Sequence, residues 1–472
     1  MPGGHHTMRL SSSQRVLYSA LFFLLFLSVI QLPLSAETGI ETEPAETSPR
    51  YGMAALEAMG SNLFLLGVNR YIRQAEYAMI SPESIHTNLT SSWVWDQDEF
   101  SVNQIGHPYQ GSFYFISGRS NNLNFWESSL LTLGGSVTWE LLMETELPSK
   151  NDLIVTSLGG IAVGEMFHRL YLEADASDLH ARWLISPMDS MNSLLFREDT
   201  KPARGRSSLR DVQLAGGIVL ADNELDGSRN YEAAENDFSA YVSGQIIYGD
   251  PFILKSITPF EHFEQRFSIN LSDTFYSASF FSDGALCAWP LYDTRHSQGS
   301  AFISLHYDFI FSSLINLAAN SLGLSFKTQH HFGRSWYLSS KLHLNWILLG
   351  ASEYLHLWYD APPENGTERR NYDLGTGEGV KFYFEVSHGT IGSILVNYSY
   401  YGIHTIPESV PEYGSTGYSI IGILDMAFER RFLGDWYTGV SATSYHKQGF
   451  YDAAADTNDI ISSVNLYVKR KL

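Results

Sequence analysis

From about Arg206 to Leu472 the apolar residues recur at every second position, and that period commits more than half of the chain to antiparallel sheet with two chemically different faces. The clearest segment runs from Arg334 to Leu348. Trp336, Leu338, Leu342, Leu344, Trp346 and Leu348 point one way, and Tyr337, Ser339, Lys341, His343 and Asn345 the other. Val380, Phe382, Phe384 and Val386 repeat the pattern, as do Phe267, Ile269 and Leu271, and Val464, Leu466, Val468 and Leu472. Alternation and turn signals give about a dozen strands, near 208, 236, 264, 274, 299, 321, 334, 376, 390, 417, 435 and 459.

A soluble sandwich also alternates, but its outer side is richly charged. Here the second side carries Ser, Asn, Tyr and Thr with scattered charge, which suits the polar interior of a membrane barrel. Asp283-Gly284, His331 to Arg334, Ser387 to Gly389 and Leu433 to Asp435 read as short turns, and Ala361 to Asp373 and Ile403 to Gly417 as long loops. Trp336, Trp346, Trp358, Tyr359, Tyr400, Tyr401, Trp436 and Tyr437 fit interfacial aromatic girdles. The closing Lys469-Arg470-Lys471-Leu472 departs from the aromatic residue that commonly ends such barrels.

Arg9 and Arg15 precede an apolar run, Val16 to Ile30, which leads to Ser35 and Ala36. This reads as a secretory signal over residues 1–36, followed by a linker over 37–50. No later stretch reaches 18 consecutive apolar residues, so helical spans of the usual kind are not expected. The 51 acidic against 30 basic residues give a net charge of -21, which argues against nucleic acid as a partner. Cys287, the single cysteine, excludes an internal disulfide and Cys-rich metal frameworks.

Residues 51–205 have helical or mixed spacing, and within them 93–169 is dense in polar residues set among aromatics. Its pieces are Asp96-x-Asp98, Asn103 with His107-Pro108-Tyr109-x-Gly111, Arg119, Trp139-Glu140 with Glu144, Pro148-Ser149-x-Asn151-Asp152, and Gly159-Gly160 followed by Gly164-Glu165. Together they resemble the signature of a domain-of-unknown-function family found in exported proteins of Gram-negative bacteria, number 3943 in that series. The resemblance implies an outer-membrane location and brings no activity with it. It continues weakly through Pro259-Phe260-x-His262-Phe263 and His306-Tyr307-Asp308.

Read physically, Ser128 to Glu146 is a helix that carries Ser136, Glu140 and Glu144 on one face. Asp152 opens a second helix at its positive end, Leu153 to Leu172. Gly160 and Gly164 face the flat patch Gly134-Gly135, giving a helical hairpin, and Glu165 pairs with Arg169. His107, Glu140, Glu144, Asp152 and Glu165, with Arg119, form either a His and carboxylate site for a metal or for acid–base catalysis, or a polar network that ties the hairpin to the barrel. No His-Glu-x-x-His, Gly-x-Ser-x-Gly or phosphate-cradling loop occurs. In the barrel half, Lys341, His343, Lys381, Glu385, Arg266 and Asp308 face the lumen, where they line a solute path, form a His-based hydrolase site or simply wet the sheet. His330-His331 is a solvated turn.

The expected fold is therefore mainly β: a transmembrane antiparallel barrel of about 12 strands over 206–472, with an amino-terminal helical hairpin as plug or cap. The expected function is structural or transport, with no cofactor or metal and with outer-membrane lipid as partner. The competing expectations are a barrel-borne hydrolase or lipid-modifying enzyme using His107 with Glu140, Glu144 and Asp152, and a surface adhesin acting through the long loops.

Overall fold

The computed structural model describes residues 48–174, 179–196, 208–222, 238–253, 258–271, 276–312, 315–353, 370–411 and 414–472. The signal segment, Trp358, Tyr359 and most of the 361–373 loop lie outside them. Twelve strands alternate in direction: β1 Leu209–Asp222, β2 Phe238–Tyr248, β3 Phe263–Leu271, β4 Tyr276–Asp293, β5 Ser297–Ser312, β6 Asn316–Phe332, β7 Trp336–Glu353, β8 Tyr372–His388, β9 Gly392–Thr405, β10 Gly417–Leu433, β11 Trp436–Tyr451 and β12 Thr457–Lys471. Each pairs with its neighbours in sequence. β12 returns to β1, from Gln213 opposite Lys471 to Asp222 opposite Ser462, so the sheet is a closed barrel.

Two expected breaks are strand instead. Asp283-Gly284 lies inside β4, and the histidines at 330 and 331 lie near the end of β6, where the His330 ring meets the Ser297 hydroxyl at 2.9 Å. Asp283 stands on the inner face, in register with Glu264 and His306, while His330 stands on the outer face with Leu324. The basic end of β12 is accommodated too: Lys469 pairs with Glu429, and the Arg470 guanidinium sits 5.5 Å from the Trp436 ring.

The polarity of the wall is inverted relative to a soluble barrel. Along β12, Ile460, Val464, Leu466 and Val468 are exposed while Asp459, Asn465, Tyr467 and Lys469 are buried. Leu466 is 48% exposed and its neighbour Asn465 5%. Apolar outside and polar inside is the arrangement that hydrocarbon selects.

Ahead of the strands come the helices: α1 Tyr51–Gly67, α2 Pro82–Thr90, α3 His107–Ser120, α4 Phe125–Leu142, α5 Lys150–Glu173, α6 Leu179–Ile185 and α7 Pro187–Phe196. The described residues divide into two compact units, one holding 48–166 with the barrel and the other holding 167–174 with 179–196, so that α5 begins in the first and ends in the second. In the smaller unit Asp189, at the start of α7, accepts from Ser186 at 2.7 Å and lies 2.9 Å from His168, while Arg182 stacks on Tyr171.

In the larger unit α4 starts earlier than expected, because Asn124 and Glu127 cap it reciprocally. It ends at Leu142, so Glu144 lies past the helix. The expected hairpin of α4 against α5 is also corrected. A Cβ at Gly160 would lie 2.5 Å from the Gly111 carbonyl carbon, and one at Gly135 would lie 2.6 Å from the Tyr114 ring. Both glycine patches therefore press on α3, a helix the apolar spacing did not disclose because both of its sides are buried.

Register decides which face of the barrel this bundle meets. Ile303, Leu324 and Leu344 lie side by side and are all exposed, so they mark the outer face. Stepping along β5 by twos from Ile303 gives Tyr307, Phe309 and Phe311, which face the same way yet are buried. The Tyr307 hydroxyl donates to the Gln104 carbonyl, and the Phe311 ring stacks on Phe100 with centroids 6.0 Å apart. Tyr372, on the side of the exposed Phe382, donates to the Asp98 carbonyl at 3.1 Å. Gln265, in register with Tyr307 through Ser282, donates to the Met166 sulfur at 3.2 Å.

The helical part of the larger unit thus lies against the outer wall of β3 to β8. The hairpin expected as plug or cap is not what the structure shows: the helices find their partners in the outward-register Gln265, Tyr307, Phe311 and Tyr372 of the wall. Because α3 touches α5 backbone to backbone at Gly111, a Gly111→Val substitution, whose Cβ would lie 1.9 Å from the Thr156 carbonyl oxygen, is expected to loosen the bundle by about 1–3 kcal/mol or more. Limited proteolysis would then cut within residues 51–166 at lower temperature than in the parent protein, with the barrel still resistant.

Candidate functional site

Five acid–base side chains meet at one end of the bundle. His107 opens α3, Glu140 lies in the last turn of α4, Glu144 follows that helix, Asp152 lies in the first turn of α5, and Asp96 comes from the segment before α3. A single parallel bridge, Val94 to Ser149, draws the Asp96 segment against the start of α5, with Lys150 N–H donating to the Val94 carbonyl at 2.8 Å.

The polar contacts are specific. Asp96 Oδ1 accepts from Asn103 and Asn151, each at 2.7 Å, and Asn151 also donates to Asp152 at 2.9 Å. His107 Nε2 lies 3.6 Å from Asp152 Oδ1. Glu140 accepts from the Ser149 amide at 2.8 Å, and Glu144 from the Trp139 indole at 3.2 Å. Asn88 ties the two glutamates' segment together by donating to the Glu140 and Glu144 carbonyls. His107, Glu140 and Asp152 are buried, whereas Asp96 and Glu144 are half-buried and border the exposed Gln97 and Glu146, so the cluster has a mouth.

Donors are short in this place. Among the described residues no Lys or Arg side chain bonds to any of the four carboxylates, and the buried Asn88 and Asn103 side-chain carbonyls and His107 Nδ1 have no partner. The same described residues contain no group of three or more His, Cys, Asp or Glu arranged to hold a metal ion. Burial first, and the Asp152 charge second, push the Asp96 carboxyl up to about 7. Burial and then Glu140 hold the Glu144 carboxyl well above the usual range. A carboxyl raised as far as that of Asp96 exchanges its proton near neutrality, the property a general acid or base needs.

Asp96 was in view as part of a motif but not as a site residue. Its partners Asn103 and Asn151, in the same pieces of sequence, were the signal that could have singled it out. Arg119 and Glu165 are not part of the cluster. Arg119 Nε donates to Glu165 Oε2 at 2.8 Å, and they lie 12 residues along α3 from His107 and 13 along α5 from Asp152, roughly 18–20 Å of helix away.

The lumen holds a second set. Lys327 of β6 and Lys341 of β7 both pair with Glu264 of β3, Lys381 of β8 pairs with Asp308 of β5, and Lys447 of β11 pairs with Glu353 of β7 at 2.9 Å. A line of hydrogen bonds runs from His343 through Ser325, Ser304 and His306 to Lys381. His306 meets Ser304 at 2.8 Å, but its other nitrogen faces Lys381 at 3.1 Å rather than a carboxylate, so no Ser-His-Asp relay forms there. Glu385 is held by Tyr383 and Ser387, and Arg266 stacks on Phe281. The space left among Glu264, Arg266, Asp283, Lys341, His343 and Lys381 is a cavity of about 30 Å³, room for one or two waters. Ile310, Leu317, Ala319, Ile347, Ile403, Ile421 and Ile423 form a buried apolar cluster. Cys287 is a half-buried free thiol.

The raised Asp96 carboxyl has a definite signature. Below the ordinary value near 3.8, folded and unfolded chains both carry its proton. As pH rises toward 7 the unfolded chain releases that proton and the folded chain keeps it, so stability falls through this window. Asp96→Asn is expected to flatten the fall in melting temperature between pH 4 and 7, measured by following the unfolding of the helices in detergent.

Several solved barrels are similar to this chain. An outer membrane channel from Pseudomonas putida F1 matches with 8% identity over 56% of this chain and 95% of that one, at a TM-score of 0.27. The monoaromatic hydrocarbon channel CymD matches with 9% identity over 55% and 88%, at 0.23. The Acinetobacter baumannii outer membrane protein Omp33 matches with 7% identity over 57% and 100%, at 0.21. The closed barrel here rests on its own strand pairing and not on these likenesses. No curated protein matches. Asp96, His107, Glu140, Glu144 and Asp152 all fall within residues 92–188, which match the family described as Domain of unknown function (DUF3943), and this segment of the chain carries that domain.

Proposed function

We propose that this is an outer-membrane protein of structural type, in which the barrel is a closed scaffold that holds the helical bundle on its outer wall. The observation that carries the reading is the cross-bracing of the lumen. Glu264 on β3 reaches Lys341 four strands away, Tyr401 on β9 donates to Asp308 on β5 at 3.0 Å, and the Lys447 and Glu353 strands are also four apart. Buried pairs of this kind stay only where each charge has its partner. A solute path would have to break several together and cross the apolar cluster as well. The adhesin reading has little support from the loop after β9, where Pro407–Ser409 folds back and Ser409 donates to the Leu374 carbonyl at 3.2 Å.

A second reading, an enzyme acting on membrane lipid, is favoured by the half-open His107, Asp96 and Asp152 cluster. His107 would take a proton from water, and a protonated carboxyl would give one to the leaving oxygen of an ester.

Two measurements test these. The purified protein in a planar bilayer is expected to show no steady conductance, and a stable open level would refute the scaffold. Glu264→Ala, which leaves Lys327 and Lys341 facing each other in the lumen, is expected to cost about 3–5 kcal/mol, read as a lower temperature of heat-induced mobility shift. For the enzyme, His107→Ala that keeps this heat resistance but abolishes a change in the lipid profile of the membrane would support catalysis. An unaltered lipid profile would refute it.

A further inference from the structure

The outer surface of the helical bundle is built the wrong way round for water. α1 buries Glu57 and Asn62 and exposes Leu56, Met59, Leu63 and Phe64. α4 buries Ser128, Thr132, Ser136 and Glu140 and exposes Trp126, Leu130 and Leu133. Phe64 is 75% exposed and Leu130 70%, while Glu140 is 1%. Neither face carries charge along its middle: α4 has none from Ser128 to Trp139, and α1 has none after Glu57 until Arg70. A soluble bundle shows the opposite pattern.

The polar residues turned inward are satisfied by other helices. Asn62 donates to the Gly135 carbonyl at 3.1 Å and accepts from the Tyr114 hydroxyl, Asn121 donates to Glu57 at 2.8 Å, and Arg119 is paired with Glu165. Small residues at the α3 contacts let backbones touch, the packing used where no hydrophobic force draws helices together.

Position adds to polarity. The bundle lies on the wall that faces outward, from the β5–β6 connection to about the middle of β4. Phe100 meets Phe311 beside the β5–β6 connection, Met166 meets Gln265, in register with Tyr307 and Asn320, and Phe125 stacks on Phe260, whose amide donates to the Ala285 carbonyl midway along β4. From Asp152 to Met166, α5 covers roughly 21 Å, against about 25 Å for the apolar band of a barrel. Exposed Leu324, Leu344 and Trp346 continue the same surface beyond the bundle.

We infer that the face formed by Leu56, Leu63 and Phe64 of α1 and Trp126, Leu130 and Leu133 of α4 is covered by the acyl chains of membrane lipid, so that the helical bundle is embedded in the bilayer beside the barrel. The inference rests on the barrel itself being in a membrane. Among the described residues no helix is long and apolar enough to cross a membrane alone. The bundle is expected to enter it as a unit because its polar groups are spent on one another and on the barrel.

The test uses the full-length protein with Cys287→Ser and one new thiol at a time, Leu63→Cys, Leu130→Cys or Leu324→Cys, each labelled with a small fluorophore and reconstituted in phosphatidylcholine vesicles. These side chains are exposed, and a heat-induced mobility shift verifies that the barrel has formed. Vesicles with brominated acyl chains are expected to dim Leu63 and Leu130 as much as Leu324, with iodide in the buffer dimming none of them. Loss at Leu324 alone, with iodide dimming the other two, overturns the inference in favour of water. Loss at Leu324 alone with no iodide effect overturns it in favour of a protein cover. If none of the three responds to brominated chains, the membrane barrel itself fails and the inference fails with it.

Discussion

In hydrocarbon no backbone amide or carbonyl can be left without a partner, and the closure of β12 on β1 is what meets that demand here. Everything else is arranged around the closed ladder. Once the sheet has no free edge, each strand has an inside and an outside, and the period of two assigns every residue to one or the other. The outside then divides again. One part meets the surroundings with Ile303, Leu324, Leu344 and Leu466, and another part is covered by the helical bundle.

That second division explains residues that a uniformly lipid-facing wall would not carry. Gln265, Ser282, Tyr307 and Asn320 all stand in outward register, and all are buried. Gln265 and Tyr307 spend their polar groups on Met166 and Gln104 of the bundle. Left facing acyl chains, they would cost free energy with nothing gained. The aromatic Phe100, packed between Phe311 and the edge of Tyr372, supplies the apolar part of the same contact. Wall and bundle therefore complement one another in both polar and apolar character.

The sequence disclosed the barrel because period two is a local property, readable strand by strand. It also disclosed the inward set, Lys341, His343, Lys381 and Asp308, since parity alone carries a side chain to the lumen. It did not disclose the bundle's place. A plug and an outer cover are equally helical, and the difference lies in contacts between residues as far apart as Asn103 and Tyr372. The signal was present in the form of polar residues at outward positions of β3 to β6, but it has meaning only after the register is known. The α3 helix was hidden for a related reason: pressed from several sides, it has no polar stripe, and only the need for Gly111 to meet Gly160 betrays its neighbours.

At the candidate site the same logic separates two kinds of buried charge. Arg119 with Glu165, and the lumen lysines with their carboxylates, are complete pairs, and completeness makes them structural. Asp96, Glu140, Glu144 and Asp152 are arranged differently. Their partners are amides and an indole, the cation is missing, and two side-chain carbonyls beside them accept nothing. A network built only for stability would gain by replacing one of these acids with its amide, which offers the donors in short supply. Retaining four acids and a histidine around one half-open mouth imposes a cost on the fold that packing does not recover. That imbalance, rather than the number of carboxylates, sets this end of the bundle apart from the rest of the molecule.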